Sequence, residues 1–108
     1  MTNQLLLEHA EKIVSDCSVP PHLSGFAFLT EAIVIKYQSD SISLSDIYRT
    51  VALNHNRTQR AVTRSISYAL SQAERMSDYL AVDKQEIFNG RVIASLALKL
   101  KSLSQSDK

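Results

Sequence analysis

A chain of 108 residues, 44% of them hydrophobic, is long enough to close one core of several helices and too short for two domains of ordinary size. Only two glycines occur, and the two prolines are adjacent at Pro20 and Pro21, a composition that disfavours sheets with tight turns and reads as mainly helical. A formal net charge of +1 excludes strong long-range attraction of the whole molecule for a polyanion, so any contact with nucleic acid has to come from a local face.

The single cysteine, Cys17, rules out an intramolecular disulfide, and no basic-then-apolar segment resembles a signal peptide. The expected compartment is the cytoplasm. The longest apolar run, FAFLTEAIVIKY, is interrupted by Glu31 and Lys36, short of the ~20 residues a membrane span needs, so no membrane is expected.

In chain order, Thr2 is a candidate N-cap for a first helix over about 3 to 17, with Leu5, Leu6, His9, Ile13 and Cys17 near one face. VPPH ends it, because proline disfavours helical geometry in the residue before it. SGFAFLTEAIVIKYQSD then carries Phe26, Leu29, Ile33 and Tyr37 at helical spacing, and Phe28, Ala32 and Ile35 widen the stripe. This predicts the most buried helix of the fold. Gly25, near its start, fits two roles: a close backbone approach, or simply the opening of the helix.

SLSDIYRTVALNH offers Ser43 as N-cap with Asp46 three residues on, and Leu44, Ile47, Tyr48 and Val51 as an inward face. After HNRT a longer helix is predicted over 59–74, capped by Thr58, with Val62, Ile66, Ala69, Leu70 and Ala73 inward. MSDYLAVDKQEIF predicts one short helix between loops. Asn89 is read as the N-cap of a last amphipathic helix, GRVIASLALKLKSL, with Val92, Ile93, Leu96, Leu100 and Leu103 apolar. Residues 104–108 are expected to be a flexible tail. The expected architecture is therefore an all-α, single-domain bundle of five or six helices, with a helix-turn-helix pattern at 44–54 and 59–74.

The chemistry of the second of those helices is distinctive. From Ile47 to Ala73 the chain contains Arg49, Arg57, Arg60 and Arg64 and no acid. At 100° per residue, Arg60, Arg64, Ser67 and Ser71 share the face opposite Val62, Ile66 and Ala69, with Gln59 and Thr63 at its margin. Arginine can fork onto guanine and glutamine onto adenine, while serine and threonine reach phosphates or pack on the thymine methyl. Small residues such as Ala61 and Ser67 let a helix enter a groove ~12 Å wide. By charge alone, the same face fits a solvated surface with arginine stems lying over apolar neighbours.

Three blocks resemble the C-terminal DNA-binding domain of the sporulation-initiation master response regulators, the stage zero sporulation protein A family. In the first, Val19, Pro20, His22, Gly25, Leu29, Glu31, Ala32, Ile33 and Tyr37 match the family pattern. In the second, Tyr48, Ala52, Asn56, Thr58, Val62, Arg64, Ile66 and Ala69 do so. The third is NGRVIASLALKL. Together they span about residues 8 to 103.

The resemblance implies about six helices, with the 59–74 helix in the major groove of double-stranded DNA. It also implies head-to-tail pairing on adjacent DNA boxes, with the last helix contributing to a homodimer or heterodimer. Its members activate some promoters and repress others. With that placement, the acid-free face gives the expected site as Arg57, Thr58, Gln59, Arg60, Thr63, Arg64 and Ser67, with Arg49 near phosphates.

This chain departs from the family at Ala61, Thr63 and Ser67, which stand where an Arg, a Glu and an Arg are usual. Each lost base contact is worth about 1–3 kcal/mol, so an altered DNA specificity is expected. The stretch after residue 74 is shorter than usual and lacks a Trp. If Met1 is the native start, the receiver domain and its phosphoacceptor are absent. Loss of both DNA-side residues and receiver supports an alternative expectation, an interaction module that pairs with a full-length regulator without reading DNA.

Other side chains suggest no further chemistry. His22 fits a loop-fixing role beside Pro20 and Gly25, and His9 and His55 read as ordinary, partly exposed residues. Cys17 reads as core. No cofactor or metal is expected, since no Cys/His spacing makes a metal site. No glycine-rich phosphate loop or activated nucleophile points to an enzyme.

Overall fold

A computed structural model of the chain describes residues 2–106, with side chains through Ser104. The described residues form α1 (Asn3–Asp16), α2 (Ser24–Gln38), α3 (Leu44–Asn54), α4 (Gln59–Ser71), α5 (Met76–Leu80) and α6 (Asn89–Ser106), with a 3₁₀ turn at Lys84–Glu86. No strand occurs among them. The all-α expectation is met with six helices.

The helix starts follow local side-chain chemistry. Thr2, Ser43 and Thr58 each adopt extended backbone and accept a hydrogen bond from the amide three residues on, those of Leu5, Asp46 and Ala61. Each cap satisfies one amide that the first turn leaves without a partner. Two helix ends are equally local. Ser18 and Asn56 take left-handed backbone, with φ of 65° and 53°. After Asn56 the Arg57 amide bonds Ala52 O at 2.9 Å and the Asn56 amide bonds Leu53 O at 3.4 Å. This double closure stops α3 and turns the chain into α4.

Packing centres on α2, which touches α1, α3, α4 and α6. It buries Gly25, Phe28, Leu29, Thr30, Ala32, Ile33 and Val34, so apolar residues surround much of its circumference. A helix covered in this way belongs in the interior. Thr30 is accommodated there because its hydroxyl donates to Phe26 O at 2.8 Å. Around α2, Ile13, Val14, Ile47, Val51, Val62, Ile66, Met76, Ile93, Leu96 and Leu100 complete one contiguous core.

Gly25 resolves between its two expected roles. A β-carbon there would lie 2.2 Å from Ser65 O and 2.6 Å from Ala69 Cβ, so glycine lets the backbones of α2 and α4 meet. Cys17 is fully buried, as expected of a core residue.

Several boundaries differ from the expectations. The second helix of the pair ends at Ser71, not near 74, because Gln72 and Ala73 close i→i+3 bonds onto Ala69 O and Leu70 O. The Arg75 amide then bonds Cys17 O at 3.3 Å, and this brings Met76 into the core. Asn89 is the first residue of α6 and not its cap. Ser104 to Ser106 continue α6, with Ser104 Oγ 2.9 Å from the Tyr37 hydroxyl. Residues 107 and 108 of the expected flexible tail lie outside the described residues. Leu5 and Leu44, expected inward, sit at the rim of the core.

Candidate nucleic-acid interface

α3 and α4 are joined by His55–Thr58, and the apolar side of α4, Val62, Ile66, Ala69 and Leu70, is buried. The opposite side is open. Gln59, Arg60, Arg64, Ser67, Tyr68 and Ser71 are exposed, while Ala61, Thr63 and Ser65 are half-buried.

Arg60 and Arg64 carry no ion pair among the described residues. Two carboxylates that flank the helix pair are already engaged. Asp46 holds Arg49 at 3.0 Å, and Glu31 on α2 accepts from Asn54 and His55. The open face of α4 therefore retains its positive charge. Arg57, at the turn, lays its guanidinium over the Phe28 ring at 5.6 Å, leaving the cation exposed on an aromatic base.

The uncharged side chains have defined polarity. Gln59 Nε2 donates to Ser45 O at 3.0 Å, tying the start of α4 to the start of α3 and leaving the Gln59 side-chain oxygen available. Thr63 donates its hydroxyl to Gln59 O at 2.9 Å, so outward it offers only acceptor lone pairs and a methyl. Ser67 Oγ accepts from Asn89 Nδ2 at 3.0 Å and keeps a proton to donate. Thr58 Oγ1 accepts from the Ala61 amide as the cap and keeps its proton to donate. Its cap leaves the Gln59 and Arg60 amides at the positive end of the helix.

All seven residues singled out in the sequence thus lie on the turn or on α4, and the structure sorts them by what each has left to offer. Pattern reading missed Asn89 and Glu31, whose partners are 22 and 24 residues away. No helical periodicity signals pairs so far apart. His55 is partly exposed, as expected, and in addition pairs with Glu31 and meets the Phe28 ring edge-on, with centroids 5.0 Å apart. Tyr48 lies beside Asn89, and burial raises its hydroxyl pKa while the Asn89 side chain opposes the shift.

No three His, Cys, Asp or Glu side chains among the described residues converge on a possible metal position. No described helix is long and apolar enough to cross a membrane.

The short turn, the capped second helix and its open cationic face define a helix-turn-helix domain. Residues 10–100 match the family described as sporulation initiation factor Spo0A C terminal, and the chain belongs to that family. It is a family of DNA-binding regulator domains of sporulation, not of enzymes. A comparison with curated proteins gives no match.

Proposed function

We propose that the protein is a sequence-specific transcriptional regulator that places α4 in the major groove of double-stranded DNA and reads bases differently from its family. The observation that carries this reading is the pair Arg60 and Arg64, exposed and without an ion-pair partner among the described residues, on a helix face free of acids. Two forked cations one turn apart suit guanine edges. Thr63 and Ser67 supply short contacts of opposite hydrogen-bonding polarity, and Gln59 approaches through its carbonyl. Arg57, Thr58 and Arg49 hold phosphates, which orient the domain without specifying sequence.

Selection of bound duplexes from a random DNA pool, followed by titration against salt, tests the proposal. A recovered consensus, with affinity falling steeply as salt rises, is expected. Absence of binding even at low salt, or no loss on Arg64→Ala, would overturn it.

One observation favours a second reading, that of an interaction module. Leu98 on α6 is 66% exposed, beside Ala94 and Lys101, and offers an apolar contact for a second copy or a full-length regulator. Co-purification with such a regulator, without DNA affinity, would support that reading over the first.

A further inference from the structure

The α3–α4 turn is held by more than its own backbone. Both carboxylate oxygens of Glu31 are used, one accepting from Asn54 Nδ2 and the other facing His55 Nε2. Asn54 is the last residue of α3 and His55 its cap, so the clasp falls immediately before the left-handed Asn56. On the same helix as Glu31, one turn earlier, Phe28 meets His55 edge-on and carries Arg57 on its face. α2 therefore grips the turn on one side and supports the first cation of the binding face on the other.

We propose that Glu31 is a positioning residue for DNA binding: it fixes the turn geometry that delivers Arg57 to a phosphate. The proposal rests on the DNA-binding reading above. A carboxylate suits this position because it only accepts, and both of its neighbours donate. The imidazole Nε2–H donates to one carboxylate oxygen while the Asn54 amide donates to the other. The charged groups around His55 are Glu31 on α2, Glu11 on α1, which lines the same shallow cleft, and Arg57 at the turn.

Glutamine and alanine grade the loss. In Glu31→Gln the remaining oxygen can still accept from Asn54, whereas Glu31→Ala leaves neither Asn54 nor His55 an acceptor on α2.

The test measures two quantities on wild type, Glu31→Gln and Glu31→Ala. One is affinity for random-sequence duplex DNA at low salt, and the other is hydrogen exchange of the Asn56 and Arg57 amides without DNA. In Glu31→Ala, affinity should fall about tenfold, with faster exchange at both amides, and Glu31→Gln should fall between it and wild type in both readouts.

Faster exchange with unchanged affinity would overturn the proposal. So would unchanged exchange, or equal acceleration at a core amide such as that of Ile33, which would mean general unfolding. If the wild type itself does not bind DNA while the turn amides respond as stated, the DNA reading fails and the clasp remains as a purely conformational device.

Discussion

Asn89 Nδ2 lies 3.0 Å from Ser67 Oγ, so the first residue of α6 reaches the open face of α4. The same amide lies 3.4 Å from Thr63 O and alongside the Tyr48 hydroxyl. Three helices thus converge on one side chain. Asn89→Ala should cost about 1 kcal/mol of stability, read as a lower midpoint in urea with an unchanged slope. On a selected DNA site it should also weaken discrimination at the base nearest Ser67, because that hydroxyl is then free to rotate.

The three turn and helix arginines should separate by readout. Arg60→Ala and Arg64→Ala should each lose about 1–3 kcal/mol on a selected site and relax preference at one position. Arg57→Ala should weaken all sequences alike and lower the salt slope by about one unit. Arg49→Ala should matter less than Arg60→Ala, since Arg49 is paired with Asp46 at 3.0 Å. Fluorescence anisotropy over a salt series measures all four.

The two glycines make opposite predictions. Gly25→Ala drives a methyl group into Ser65 O, a backbone atom that cannot rotate away, and should destabilise by at least about 1–3 kcal/mol. At Gly90 a new β-carbon would meet only Leu44 Cδ2, at 3.3 Å, the end of a flexible side chain on the surface. Gly90→Ala should be neutral or stabilising by up to about 1 kcal/mol through helix propensity. Paired urea denaturation of the two variants checks both.

Burial pushes the Cys17 thiol up to about 12 from an ordinary value of 9.0. The folded state therefore holds the proton where the unfolded chain releases it. Stability contributed by the neutral thiol is complete below about pH 9 and declines as pH rises towards 12, by at most about 1.4 kcal/mol per pH unit. Cys17→Ser should flatten that part of the stability profile. A thiol reagent at pH 8 should label the native protein only as fast as it opens, and the denatured protein at once.

What could be read from the chain follows the range of the interactions. Thr2, Ser43 and Thr58 were legible as caps because each partner is three residues away. The buried stripe of α4 was legible because Val62, Ile66 and Ala69 repeat with the helix. Asn89 was misread for the complementary reason. An asparagine before an amphipathic run resembles a cap, and nothing local reveals that its amide serves α4 instead. His55 was equally opaque, since Glu31 comes from the preceding helix and the pair exists only after α2 and α3 pack. Past the early end of α4, a backbone bond from Arg75 to Cys17 directs the chain, and no side-chain pattern encodes it.

The direct contact between α2 and α4 at Gly25 also bears on how such a domain can change. The seat of the helix lies on the side of Val62, Ser65, Ile66 and Ala69, and Arg60, Arg64 and Ser67 stand away from it. Exchanging Arg60 or Arg64 disturbs no core contact and only Ser67 carries a bond to α6, so a lineage can try new binding preferences at the two arginines at little cost in folding. Mutational tolerance should therefore divide sharply around the circumference of this one helix: permissive outward, and nearly closed where two backbones touch.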